Sequence, residues 1–176
     1  IWTLLLATGF LLSSSLLYGR IGDVHLPGNQ QGYEPTQPIA FSHRLHAVEL
    51  QVSCQYCHTG TEKGRHAGIP AESVCMKCHA SVTAPLGAVR AEEGQAKKEE
   101  RPPRAVVSPE LGKLYASLGL DDSLKPSSSL LPKAIEWKRV HNLPAFVSFD
   151  HRAHVTAGVD CRTCHGAVEN MERVRQ

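Results

Sequence analysis

The sequence has little material from which to build a conventional core. Only 6% of its 176 residues are aromatic and 41% are apolar, and part of that apolar content lies in the first eighteen positions. Its 14 glycines and 11 prolines argue against long regular elements outside a few short helices. We therefore expect one domain whose interior is filled by something besides side chains, as metals or disulfides do in other small domains.

The chain also lacks an excess of either charge. It carries 19 Lys and Arg against 17 Asp and Glu, for a net charge of +2 with histidine neutral. Because the two signs are interspersed, the composition argues against a nucleic-acid partner and against an acidic-substrate funnel. Histidine is the abnormal component, with ten residues.

No cysteine lies outside a Cys-x-x-Cys-His unit, so none is left for a disulfide framework. The units are Cys54–His58, Cys75–His79 and Cys161–His165. Haem attachment requires this pattern, because each cysteine forms a thioether to a haem vinyl group and the next histidine binds the iron. We predict three covalent haem c groups, with Cys54, Cys57, Cys75, Cys78, Cys161 and Cys164 as thioether residues and His58, His79 and His165 as proximal iron ligands.

Zinc is the main alternative for the first two units. The spacing Cys-x2-Cys-x17-Cys-x2-Cys, from Cys54 to Cys78, falls within the range of zinc ribbons. Zinc does not explain why a histidine follows every pair, and the third pair has no partner pair. A thioredoxin-like redox role lacks the surrounding βαβ pattern.

A histidine repeat precedes two of the units. Phe41–His46 and Phe149–His154 both read Phe-x-His-Arg-x-His. The sixth iron ligand decides between a closed haem for electron transfer and an open haem for binding or catalysis. Three haems need three distal ligands, so five candidates leave two in excess, which either are not ligands or bind haems that this sequence does not show. The distal candidates are His43, His46, His141, His151 and His154.

The remaining histidines are weaker candidates, and we interpret His25 and His66 as surface or hydrogen-bonded residues.

The first nineteen residues contain no charge, and the first charged residue is Arg20. Trp2 and Tyr18 lie near the two ends of this run, where aromatic rings prefer a membrane interface. The run is just long enough to cross a bilayer of about 30 Å as a helix, so we predict a transmembrane anchor over 1–19. A cleaved signal peptide is the alternative, although no Ala-x-Ala-like site precedes Arg20. Because the chain begins at Ile1 without a basic region, we expect that a few N-terminal residues are missing.

We divide the rest of the chain by composition. The predicted segments are a connector (20–38), a first haem unit with two motifs (39–84), a charged, Pro- and Ser-rich insertion (85–134) and a second haem unit with one motif (135–176). The charged stretch 91–104 is predicted to be a solvated loop or linker. A short helix is predicted over 109–118, with Ser108 as N-cap and Gly119 as its stop. The predicted fold is a haem-organised multihaem cytochrome c, mostly loops with short α-helices, preceded by one transmembrane helix.

The motifs carry a family resemblance. Phe41–His46 resembles the Phe-x-His-x-x-His signature of class III-type multihaem cytochromes, in which the first histidine caps one haem and the second caps another. Residues 37–47, 67–79, 137–151 and 161–166 resemble the multihaem subunit (ActA type) of alternative complex III. The resemblance covers about 32–80 and 135–176. That subunit carries five haems, with two further motifs after the equivalent of Gln176, so it implies up to five haems if this chain is incomplete. The stretch 85–104 looks like an insertion.

The resemblance implies an electron-transfer subunit that is not catalytic alone. Its partners would be iron–sulfur and integral membrane subunits in the lipid bilayer, and its acceptor a soluble cytochrome c, a copper protein or an oxidase. It would sit at the bacterial cytoplasmic (inner) membrane, with the haem domain on the periplasmic side. The alternatives are a multihaem quinol dehydrogenase or nitrite reductase partner with an open haem site, and a filament-forming cytochrome.

Overall fold

The computed structural model describes residues 2–21, 30–144 and 146–176, which are mostly helix and loop. Within these ranges the only strand-like pairing is an isolated antiparallel bridge between Leu120 and Pro126. The helices are α1 (Trp2–Ile21), a π-helix (Arg44–Glu49), α2 (Cys54–Cys57), α3 (Glu72–His79), α4 (Leu86–Lys98), α5 (Pro109–Ser117), α6 (His151–Thr156), α7 (Arg162–His165) and a 3-10 turn (Val168–Asn170).

The predicted transmembrane anchor over 1–19 is wrong. Among the described residues, no helix is both long and apolar enough to cross a membrane. The physical reason is the hydroxyl content of α1, where Thr8 Oγ1 donates to the carbonyl of Leu5 and Ser13 Oγ to that of Phe10, both at 3.0 Å. Both hydroxyl groups thus donate to carbonyls of their own helix, but their oxygen atoms remain on a helix that is barely long enough to cross a bilayer.

The predicted connector over 20–38 falls partly outside the described residues, since 22–29 are not described, and so does His25.

Most of the charged stretch predicted as a loop, 91–98 of 91–104, is helical, and 99–104 are turn and loop. α4 covers Leu86–Lys98, because its Ala, Glu, Gln and Lys residues all favour helix. The helix end is fixed by Arg101, which donates to Glu92 at 2.6 Å and to Glu99 at 2.5 Å. Hydrogen bonds, first from the Arg101 side chain and then from the Arg104 N–H, lower the pKa of the half-buried Glu92 carboxyl to about 2. The high charge and the lack of apolar periodicity in this segment therefore did not prevent a helix. The helix propensity of its residues and the ion pairs of Arg101 are enough to stabilise one.

The predicted short helix is confirmed as α5, Pro109–Ser117. Ser108 caps it by accepting a hydrogen bond from the Leu111 N–H at 3.3 Å. Gly119 follows with a φ of +73°, the left-handed conformation that glycine adopts without steric cost. Gly119 thus ends the helix by turning the chain back.

The apolar core is as small as the composition predicts. The buried apolar residues of the described ranges are Ala84, Ala96, Leu114, Tyr115 and Val140. Three of them lie on α4 and α5, and Ala84 lies just before α4. The buried apolar side chains therefore stabilise the predicted insertion more than they stabilise the segments that carry the motifs.

Backbone pairing joins the two haem units directly. The N–H groups of His43 and Arg44 donate to the Met171 carbonyl at 3.0 and 3.2 Å, and the Gln176 N–H donates to the Tyr33 carbonyl at 3.1 Å. The segment after the third motif therefore packs against the segment that begins the first repeat.

We expect the Tyr115→Phe variant to be destabilised. Tyr115 is fully buried and its hydroxyl donates to the His79 carbonyl at 2.7 Å. Loss of this bond leaves a carbonyl unpaired and should cost about 1 kcal/mol, which corresponds to about 2–4 °C in Tm for a chain of this size. Thermal unfolding of the haem-loaded protein measures the change. Tyr33→Phe, at a ring that is 41% exposed, is the control and should stay within about 0.5 kcal/mol; equal Tm values for the two variants would contradict the assignment.

Candidate haem-ligand site

Three pairs of histidine rings face each other. Each pair combines the histidine of a Cys-x-x-Cys-His motif with a histidine of a Phe-x-His-Arg-x-His repeat. The ring centroids are 6.4 Å apart for His43 and His58, 6.2 Å for His46 and His79, and 6.2 Å for His151 and His165. The structure therefore pairs three of the four repeat histidines with the three predicted proximal ligands.

The spacing is that of two imidazoles bonded to one iron. A metal–nitrogen bond of about 2 Å on each side, plus about 1 Å from each nitrogen to its ring centre, separates the centroids by about 6 Å. Aromatic rings in direct contact also have centroids about 4.5–7 Å apart, so the assignment rests on which rings are paired as well as on their distance. The pairs fit iron ligation in both respects.

Hydrogen bonds fix the orientation of two motif histidines. The Nδ1–H of His58 donates to the Gly68 carbonyl at 2.6 Å, and that of His79 to the Val82 carbonyl at 2.8 Å. Because a carbonyl oxygen can only accept, Nδ1 carries the proton and Nε2 keeps a free lone pair. That lone pair is what an iron ligand requires, and the bond at Nδ1 also raises the basicity of the ligand.

Two repeat histidines are oriented in the same way. His46 Nδ1–H donates to the Ser42 carbonyl at 2.8 Å and His151 Nδ1–H to the Arg65 carbonyl at 2.7 Å. Within the described residues, His43 Nδ1 is buried without a hydrogen-bond partner.

Each repeat builds the same aromatic arrangement. The Phe41 ring meets His43 edge-on at 5.0 Å and stacks on His46 at 4.4 Å. Phe149 meets His151 edge-on at 4.8 Å and stacks on His154 at 4.8 Å. The phenylalanine of the repeat thus holds two histidine rings at a fixed mutual angle. The sequence shows the repeated phenylalanines, so this role could have been predicted.

Burial keeps two of the paired rings, those of His43 and His165, neutral. The pKa values of His43 and His165 fall to about 4, chiefly because burial disfavours the charged ring and secondly because other histidines lie nearby. Both rings are therefore uncharged at pH 7, the state in which imidazole binds a metal.

The motif cysteines lie on single helical turns. In α2, Cys54 and Cys57 are three residues apart, a spacing that places two side chains on one helix face. The same spacing holds in α3 and at the start of α7. All six cysteines are free thiols that are exposed or half-buried. Paired thiols beside an oriented histidine are the donor set that haem c requires, so the residues fit the group.

The donor set does not fit the zinc alternative. In the described ranges, no group of three or more His, Cys, Asp or Glu residues converges as a single metal ion would need.

Two predicted distal candidates are not part of a pair. The His141 ring contacts His165 at 4.5 Å and 74°, which leaves no room for an iron between them. His154 Nδ1–H donates to the Asp150 carbonyl at 2.9 Å, as in the first repeat. Among the described residues, each motif histidine already faces another ring, so no motif histidine lies opposite His154.

Sequence reasoning missed the carbonyl groups that orient the rings. Those of Arg65, Gly68 and Val82 carry no side-chain signal, because any residue supplies a carbonyl. Only the folded loops show which carbonyl meets which ring.

Residues 39–100 match the family described as Cytochrome c7 and related cytochrome c. The chain is also 29% identical, over 129 residues, to a protein of Nitratidesulfovibrio vulgaris named menaquinone reductase, multihaem cytochrome c subunit. The match covers 73% of this chain and 45% of that protein, so the chain spans less than half the length of this curated relative. The predicted resemblance to alternative complex III is not among these findings. The comparisons relate the chain to multihaem c-type cytochromes of electron transfer, and this relationship implies covalently bound haem c.

Proposed function

We propose that the chain holds three haem c groups and transfers electrons as the cytochrome subunit of a quinone-linked respiratory complex. The observation that carries the proposal is the set of three histidine pairs at 6.2–6.4 Å. Each haem would be bound by the two cysteines of its motif, with the motif histidine and the facing repeat histidine as axial ligands. The haems supply the redox chemistry, while the chain sets their ligation, burial and spacing.

Ligation by two histidines favours electron transfer over catalysis. An enzyme that binds substrate at iron needs an open axial position. Every motif histidine here faces a second histidine, so no iron at the three motifs would keep an open position. This arrangement disfavours a substrate-binding haem in the described part of the chain.

His154 is the best candidate for ligating a further haem. Its hydrogen bond and its stacking on Phe149 match those of His46, which pairs with a motif histidine. We propose that His154 binds the iron of a haem attached outside the three motifs, on another segment or another subunit. His141 is not proposed as a ligand, because its ring packs directly against that of His165.

The comparisons and the resemblance support a quinone-reacting partner. The relative is named for a menaquinone reductase, and the resemblance to alternative complex III points to quinol oxidation. Electrons would pass between a partner that reacts with the quinone, alongside an iron–sulfur subunit, and a soluble cytochrome c, copper protein or oxidase. We place the haem-bearing part on the periplasmic side of the bacterial inner membrane, because haem c is attached outside the cytoplasm. Assays of the isolated complex for quinol oxidation and for quinone reduction test the direction of electron flow. Absence of both activities would overturn the proposed link to a quinone-reacting partner.

The haem content tests the core of the proposal. A pyridine haemochrome assay and intact mass should show three haems on the chain when it is made in a host that attaches haem c. Cys54→Ser with Cys57→Ser should lower the count to two, because both thioethers of one haem are lost. Absence of a c-type haemochrome band would reject the function outright.

The ring angles predict the electron paramagnetic resonance spectrum of the oxidised protein. The planes of His43 and His58 differ by 3° and those of His151 and His165 by 8°, whereas those of His46 and His79 differ by 64°. Near-parallel imidazoles split the iron d orbitals and give rhombic low-spin signals, while strongly crossed imidazoles give one signal of large anisotropy. We expect two rhombic signals and one of large g-max.

A ligand variant assigns the signals. His46→Ala should replace only the large g-max signal by a high-spin signal, since that iron loses its distal ligand. His66→Ala is the control and should leave all three unchanged. Loss of a rhombic signal in His46→Ala would contradict the pairing.

A further inference from the structure

One surface loop contacts ligands of two different histidine pairs. We call residues 60–68, between the first and second motifs, the linking loop. It closes on itself, because the Gly60 N–H donates to the Ala67 carbonyl at 3.0 Å and the Lys63 N–H to the Gly60 carbonyl at 3.0 Å. Thr61 anchors it through a hydroxyl bond of 2.9 Å to the His58 carbonyl, and Thr61 is buried. The loop is therefore a closed unit attached to the first motif.

Two carbonyl groups of this loop accept hydrogen bonds from histidines of two different pairs. The Gly68 carbonyl accepts from His58, the motif histidine of the first pair, at 2.6 Å. The Arg65 carbonyl accepts from His151, the repeat histidine of the third pair, at 2.7 Å, across 86 positions of sequence. The Arg65 guanidinium adds a second link to that region, donating to the Val147 carbonyl at 3.3 Å.

We propose that the linking loop is a shared positioning element that sets the ligand geometry of the first and third haem sites together. The inference rests on the proposed haem ligation. A hydrogen bond at Nδ1 fixes the plane of an imidazole and tunes its strength as a ligand. Since one closed loop supplies the acceptor to a ligand in each site, a displacement of its backbone changes both sites at once.

The second site provides an internal reference. Its two ligands use other acceptors, because His46 donates to Ser42 and His79 donates to Val82. Neither acceptor lies in the linking loop. A displaced loop should therefore leave the His46–His79 site unchanged.

Gly60 is the position at which the loop can be displaced by one methyl group. A Cβ built there would lie 2.7 Å from the Ala67 carbonyl oxygen and closer still to that of His66. Both obstacles are backbone, so the loop itself must move. Gly64, in the same loop, has nothing within 4 Å of a built Cβ. Gly64→Ala is thus a matched control for composition and location.

The test uses the purified haem-loaded chain and compares Gly60→Ala with Gly64→Ala. The readouts are the electron paramagnetic resonance spectrum and the midpoint potential of each haem. We expect Gly60→Ala to shift the g values of both rhombic signals and two of the three potentials, with the large g-max signal unchanged. Gly64→Ala should match the unmodified protein. A shift in one rhombic signal, in neither, or in all three signals equally would overturn the proposal.

A milder variant keeps the test open if Gly60→Ala fails to fold. Arg65→Ala removes the side-chain link to Val147 at an exposed position and leaves the loop backbone intact. We expect it to shift the His151–His165 signal and to leave the other two in place; an unchanged spectrum would count against the loop. Haem content separates the two hypotheses. Wild-type protein without haem c rejects the proposed function, whereas three haems with an unresponsive spectrum reject the shared loop alone.

Discussion

The structure depends on one constraint, that imidazole rings from separate segments of the chain are held facing each other in pairs. His151 is supplied by a repeat that precedes its partner His165 by fourteen positions, and His43 precedes His58 by fifteen. Neither ring would be held at a fixed distance and angle by its own rotamer preferences, since the terminal torsion of histidine is broad. The Nδ1–H bonds to backbone carbonyls supply the missing restraint at His46, His58, His79 and His151. Because they also leave Nε2 unprotonated, the same bonds settle both geometry and protonation state.

The thin apolar core follows from this arrangement. A domain stabilised by side chains alone would bury many large apolar residues. Here the only large side chain of the described residues that is fully buried is Tyr115, and its hydroxyl is bonded to the backbone of His79. Even this core residue therefore contacts a motif. Haem c, fixed by two thioethers and two axial bonds, would supply the apolar mass that the sequence omits, and the fold would depend on it as small domains depend on metals.

The sequence predicts the paired histidines better than it predicts the scaffold. The motif histidines and four repeat histidines are visible because spacing and repetition mark them, and the structure brings three of the four opposite a motif histidine. α5 was predictable because Ser108 and Gly119 are local signals at its two ends. α4 was missed because its charges suggested a solvated loop, whereas their helix propensity and the Arg101 ion pairs decide the outcome. The supposed membrane anchor shows the opposite error, since length and lack of charge were given more weight than hydroxyl content.

The position of a histidine within its repeat accompanies the angle of the ring pair that it forms. The two pairs built from the first histidine of a repeat have ring planes within 3° and 8° of parallel, and in both repeats that histidine lies edge-on to the phenylalanine. The pair built from the second histidine, His46 with His79, is crossed at 64°, and His46 stacks on Phe41 instead. The different orientations of the two histidines against one phenylalanine thus accompany both parallel and crossed pairs. Since ring plane influences the electronic state of a ligated iron, one repeated sequence can build haem sites of two kinds.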